Sequence, residues 1–173
     1  MRTWRVLGPF PNPDGKGMAT PYPPEAEPID LTRAYDGAGG KVRWKSHVWA
    51  EPKVDFKKVF RPTDNVVGYA VCWVYSDRRR TASVELGSDD GCRVWLNRKV
   101  ILSKPEPRSA GPRQDVVPIS LPRGWSELLV KVGQTTGEWE LYVELIDPEG
   151  LSLLPAVRLS TRPPASALSK PKR

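Results

Sequence analysis

The chain has 173 residues, 27 Lys and Arg against 20 Asp and Glu, a formal net charge of +7, and 39% hydrophobic residues. That length makes one ordinary domain able to bury a core without disulfide or metal staples, and no apolar run is long enough to span a membrane. Nineteen prolines and 14 glycines set among short apolar runs point to many strands rather than a few helices.

Residues 4–8 read as a first strand ended by Gly8-Pro9. Residues 10–28 are too rich in proline and glycine for a helix or central strand, and read as an ordered loop wrapped over the fold with Phe10 and Tyr22 as anchors. Residues 29–35 read as a turn or single helical turn, 36–40 as a turn, and 42–49 as one alternating strand. Residues 54–60 fit a helical turn as well as a strand. Residues 66–75, with Tyr69-Ala70-Val71-Cys72-Trp73-Val74-Tyr75 apolar on both faces, read as a central strand. The run Arg78-Arg79-Arg80 turns the chain into a strand in which Ala82, Val84 and Leu86 alternate with Ser83 and Glu85.

A glycine-bounded turn, Gly87-Ser88-Asp89-Asp90-Gly91, leads to a strand at 92–96, and Asn97-Arg98 makes a hairpin into 99–102. A second proline-rich loop fills 103–113. The strand at 114–121 is expected at a sheet edge because of Pro118. Strands follow at 125–132, with Leu128, Val130 and Val132 inward, and at 139–145, where Trp139, Leu141, Val143 and Leu145 face the core and Glu138, Glu140, Tyr142 and Glu144 face away. A weaker strand is expected at 151–159. Residues 161–173 read as a basic linker or disordered tail after a single domain at 1–160. The sum is an all-β fold, an antiparallel β-sandwich with long proline-rich loops.

The excess charge reads as concentrated in Arg78-Arg79-Arg80 and the tail basics Lys170, Lys172 and Arg173, over an otherwise nearly balanced domain. Nucleic-acid binding is therefore not expected, since such binders line up basic residues along a face or element. Residues 1–4 run into strand-like sequence with no signal-peptide apolar region, and the linker-like tail favours a module of a longer chain over a cytosolic protein. Cys72 and Cys92 both fall in strands, either as a disulfide pair or as two small buried thiols.

The best site candidate is the acidic turn. Adjacent carboxylates in a short turn repel unless a cation or hydrogen-bond donors offset their charge. Asp89 and Asp90 are thus read either as calcium ligands, supplying hard oxygens, or as caps on backbone amides paired with a nearby arginine. Trp4, Trp73, Trp125 and Trp139 read as core. Trp95, Trp49 and Tyr22 could form an exposed platform for sugar rings, the alternative being a second packed face. His47 is the only histidine, and no Cys/His metal set, Ser-His-acid triad or phosphate-cradling loop can be assembled, so the domain is read as non-catalytic.

The sequence Gly87–Gly91 followed by Val94-Trp95-Leu96-Asn97 resembles the S-D-D-G-x-x-V-W-L-N core of galactose-binding-like accessory jelly-roll modules in large bacterial proteins. Related patterns belong to the sugar-binding domain of family 2 glycoside hydrolases and to protective-antigen-like lectin domains of flocculins. Trp4–Phe10, Tyr69–Val71, Gly124–Val132 and Trp139–Leu145 fit as well. The resemblance implies a jelly roll and a non-catalytic module binding polysaccharide or glycan beside neighbouring domains, in an extracellular or cell-envelope protein. It also implies calcium on Asp89 and Asp90, although those lectins use an asparagine from a later loop and the loops 103–113 and 133–138 contain none. The alternative is a structural spacer or protein-interaction sandwich without a small-molecule ligand.

Overall fold

The computed structural model describes residues 1, 3–154 and 156–164. Its strands are β1 (Thr3–Pro11), β2 (Ala34–Gly37), β3 (Gly40–Arg43), β4 (Lys45–Val48), β5 (Lys53–Asp55), β6 (Val66–Ser76), β7 (Arg80–Ser88), β8 (Cys92–Leu96), β9 (Lys99–Lys104), β10 (Asp115–Leu121), β11 (Gly124–Gln134), β12 (Glu140–Ile146) and β13 (Arg158–Ser160). A large sheet has the order β4-β1-β6-β11-β8-β9, with β13 also on β6; a small sheet has the order β10-β7-β12-β5. Every pairing is antiparallel. From β6 to β12 the chain passes repeatedly between the two sheets, as in a jelly roll, so the fold is an antiparallel β-sandwich.

The alternation of each strand explains the core. Trp4, Val6, Ala70, Cys72, Val74, Val84, Leu86, Leu128, Val130, Trp139, Leu141 and Leu145 meet between the sheets in one buried cluster. The other face of the large sheet carries Leu7, Val67, Tyr69, Val71, Trp73, Trp95 and Leu129, which make a second buried cluster. β6 is central, buried on both faces as its sequence requires.

What covers the second cluster is a strap, residues 12–33, containing a 3-10 segment (Pro13–Met18) and one short helical turn (Pro23–Ala26). Tyr22 stacks on Phe10 at 4.8 Å, so the two anchors read from the sequence do hold it. The strap is also pinned by an ion pair. Lys131 on β11 has a fully buried side chain and donates to Glu25 Oε1 (2.6 Å), the Thr20 carbonyl (2.8 Å) and the Met18 carbonyl (3.3 Å). Those three acceptors saturate its three N–H bonds. Tyr69 donates its hydroxyl to the same Glu25 carboxylate. Burial holds the Lys131 ammonium below the ordinary lysine range, against the pull of Glu25.

Four local readings are corrected. Residues 29–35 are not a helical turn: after bends, the chain enters β2 at Ala34. The single strand read over 42–49 divides at buried Trp44 into β3, which pairs with β2, and β4, which pairs with β1. Residues 54–60 divide between β5 and a 3-10 turn at Phe56–Lys58. The strand expected at 151–159 reduces to β13 and an isolated bridge from Ser152 to Ile146. Pro118 lies in β10, an edge strand of the small sheet. The basic tail read at 161–173 lies beyond residue 164 outside the described residues. Cys72 and Cys92 are free and buried, on strands separated by β11.

Candidate functional site

The outer face of the small sheet is polar and open, and its centre is built from β7 and β12. Glu85 and Glu144 are direct cross-strand partners, and the next pair on the same face is Gly87 with Tyr142; Tyr142 in turn faces Lys53 on β5. Like charges directly opposite are destabilising unless offset. Arg113 supplies the offset, its Nε 2.6 Å from Glu85 Oε2. This buried carboxylate thus leans on a cation whose own side chain is largely exposed. Glu85, Tyr142, Val143, Glu144, Pro112, Arg113, Pro52 and Met1 enclose a small open pocket of about 130 Å³. At its margin Lys53 pairs with Glu140 at 2.6 Å, and that carboxylate holds the ammonium above the usual lysine range.

One wall of the pocket is the loop 105–114, and the acidic turn holds it there. Gly87 is bare because a Cβ would lie 1.6 Å from the Gly111 carbonyl oxygen; only glycine lets the loop cross this strand so closely. Ser88 N donates to Gln114 Oε1 (3.0 Å) and Asp90 N to the Arg108 carbonyl (2.8 Å). Asp89 Oδ2 accepts from Ala110 N (3.4 Å), whereas Asp90 Oδ2 accepts from Thr135 N (2.6 Å) in the loop before β12. Arg108 closes the arrangement by pairing with Asp115 at 2.7 Å and donating to Ser88 Oγ at 3.0 Å. Arg113, with φ of 60°, then projects over Glu85.

Asp89 and Asp90 both accept from backbone amides, and among the described residues neither forms an ion pair: Arg108, the nearby arginine, goes to Asp115. Burial pushes the Asp89 carboxyl above its ordinary range, and nearby Asp90, Glu140 and Glu138 add to this. Among the described residues, no group of three or more His, Cys, Asp or Glu side chains is disposed to hold a metal ion. A calcium ion would have to draw on these two carboxylates, already committed to amides, and on turn carbonyls.

The aromatic platform of Trp95, Trp49 and Tyr22 does not form. Trp95 is buried at 6% exposure in the second cluster and Trp49 at 4% in the main core. Tyr22 is half-buried in the strap, donating its hydroxyl to the Pro11 carbonyl. The flat rings were placed where two packed layers need them. The His47 ring lies tilted against Trp49 with centroids 4.1 Å apart, beside Glu51, Lys53, Asp55 and Lys58. Of the four tryptophans read as core, Trp4, Trp73 and Trp139 are buried and Trp125 is half-buried against Tyr75.

Sequence reasoning passed over Glu85, Arg113 and Tyr142. Glu85 and Tyr142 sat on outward positions of clean alternating strands, which read as solvated surface. The available signal was Gly87 beside them, a glycine inside a strand, which marks a close backbone approach.

No family model matches the chain, and no curated protein matches it. Among solved structures it is similar to an anti-sigma factor domain-containing protein, with a TM-score of 0.52 and 13% identity over 87% of this chain and 45% of that one. An anti-sigma factor domain-containing protein from Clostridium clariflavum gives 0.50 and 16% over 86% of this chain and 43% of that one. A beta-glucosidase from Kluyveromyces marxianus, solved in complex with glucose, gives 0.50 and 8% over 83% and 16%. Identities this low show the shared β-sandwich fold, and the chain spans less than half the length of each of these proteins. No helix among the described residues is long and apolar enough to cross a membrane.

Proposed function

We propose that this domain is a non-catalytic carbohydrate-binding module of a larger protein, and that it binds sugar on the outer face of its small sheet. The observation that carries this reading is Glu85: a buried carboxylate, paired with the largely exposed Arg113, in a pocket lined by Tyr142, Glu144 and Arg113. Vicinal sugar hydroxyls donate to carboxylates and accept from guanidinium groups, and the C–H face of a sugar ring packs on a tyrosine ring. The two glutamates are cross-strand neighbours on one face. A glycosidase needs its carboxyls on either side of the scissile bond, so Glu85 and Glu144 act here as hydrogen-bond acceptors. The motif resemblance at 87–97, and the occurrence of this fold within a minor part of a beta-glucosidase chain, support the reading. An extracellular or envelope setting follows from the same proposal.

The test is a glycan array followed by titration calorimetry with the best glycan. Wild type binds weakly, and Glu85→Gln and Tyr142→Ala each reduce affinity about tenfold or more while leaving the melting transition cooperative, in line with one lost charged hydrogen bond or one stacking contact. An array blank for folded wild type defeats it. The second reading, a structural spacer, draws on six of the seven tryptophans being buried. That outcome would favour it.

A further inference from the structure

The chain's positive charge is gathered in a place the sequence reading did not single out. Residues 41–61 hold seven basic residues (Lys41, Arg43, Lys45, Lys53, Lys57, Lys58 and Arg61) against two acidic ones, Glu51 and Asp55. Folding divides these cations into two groups. Lys53, Lys57 and Lys58 are matched with Glu140, Glu138 and Asp55. Lys41, Arg43, Lys45 and Arg61 instead line one cleft of about 310 Å³ together with Gly8, Pro9, Val42 and Phe60.

None of the residues lining that cleft is acidic. Arg43 donates to the Thr32 carbonyl at 2.7 Å, Lys45 to the Val59 carbonyl at 3.2 Å, and Arg61 to the carbonyls of Phe60 at 2.6 Å and of Lys57. A carbonyl orients a cation without cancelling its charge. Lys41 alone reaches a carboxylate, Asp36 at 2.6 Å, and both side chains are more than half exposed, so solvent weakens that pair. The walls are fixed by the fold: Ala38 N donates to the Pro9 carbonyl at 2.8 Å, bolting the β2–β3 hairpin to the irregular stretch of β1 between Leu7 and Phe10. Lys45 Nζ stands 5.6 Å from the centroid of the buried Phe60 ring.

We infer that this cleft is a second binding site, separate from the small-sheet pocket, and that it takes the carboxylate or sulfate of an acidic polysaccharide. Four cations converge on one pocket with an apolar floor of Pro9, Val42 and Phe60, which suits a single charged sugar ring. A nucleic-acid strand needs cations continuing along its phosphates, and here the neighbouring lysines are already matched with acids.

The test is retention and titration of the whole chain on polygalacturonate, on dextran sulfate, on neutral dextran and on a single-stranded DNA oligonucleotide, at about 50 and 200 mM salt, between which long-range attraction is increasingly screened. Binding to an acidic polysaccharide, absent for dextran, weakened by salt, and falling about tenfold or more in Arg43→Gln/Arg61→Gln supports the site. The charge-matched control Arg78→Gln/Arg79→Gln, in the exposed β6–β7 turn, loses about twofold or less. Preference for polygalacturonate or for dextran sulfate tells carboxylate from sulfate. Equal losses in both double variants, no binding to either acidic polymer, or DNA binding at least as tight through Arg43 and Arg61 overturns the inference. Melting curves of the double variants show whether each is folded; if Arg43→Gln/Arg61→Gln is not, Lys41→Gln/Lys45→Gln takes its place with the same expected loss.

Discussion

On the outer face of the large sheet, Tyr69, Trp73, Trp95 and Lys131 lie beneath the strap of residues 12–33. On the outer face of the small sheet, Glu85, Tyr142 and Glu144 line an open pocket beside the loop 105–114. Both faces carry a charged residue at an outward strand position, and in each a proline-rich loop reaches across. The strap closes over the lysine: three acceptors take all the hydrogens of Lys131. The other loop stops at Arg113, leaving Glu85 paired with one largely exposed cation at the edge of a pocket. A sealed polar group stabilises the fold; one left partly satisfied at a pocket is available to a ligand.

The sharpest way to break this contrast is at Lys131. Lys131→Ala strips the partner from a buried carboxylate and is expected to destabilise by about 3–5 kcal/mol, read in a urea titration. Lys131→Met with Glu25→Gln removes both charges and should recover much of that loss, because a neutral pair avoids the desolvation of two ions. If the single variant is as stable as wild type, the strap does not depend on the pair.

Next in size is Gly87→Ala, which asks whether the open face depends on its loop. The added methyl meets the Gly111 carbonyl at 1.6 Å, so the loop must shift. The expected result is a loss of about 1–3 kcal/mol in stability, together with loss of glycan binding as Arg113 moves. Retained binding would detach the loop from the site.

Smaller effects are expected at the acidic turn. Asp90→Ala removes the acceptor for Thr135 N and should destabilise by about 1 kcal/mol, while calcium and chelator give superimposable melts. A calcium-dependent rise in melting temperature, lost in Asp89→Ala and Asp90→Ala, would instead support the metal reading. The smallest effect is the pH dependence of Asp89. Its folded-state pKa is raised, so its contribution is most favourable below the unfolded value and is lost as pH rises through the folded one. Asp89→Asn should therefore be slightly more stable than wild type at neutral pH, with the gap closing below about pH 4.

Much of the sandwich was legible because its strands alternate cleanly. The double-faced apolar run at 69–75 announced the central strand β6, and Pro118 an edge. Lys131 was not legible, since it sits between Val130 and Val132 where alternation assigns solvent; only the strap, far away in sequence, makes that position interior. The same absence of non-local information left Trp95 and Trp49 open between an exposed platform and a packed face, and the fold packs both. The acidic turn was legible as a special place. Its job, tying down the loop 105–114, depends on contacts to Arg108, Ala110 and Gln114 that no local pattern encodes. The cationic cleft escaped notice because Lys41, Arg43 and Lys45 are spaced along an ordinary-looking strand, and Arg61 joins them only in three dimensions.

The most direct measurement is a backbone amide NMR titration of the wild-type domain with the glycan selected by the array. Shifts concentrated at 83–87, 109–113 and 140–144, across the outer face of the small sheet, are the expected result. Shifts confined to the strap and the large sheet, or a spectrum unmoved by any glycan, would contradict the assignment of the open face as the sugar site.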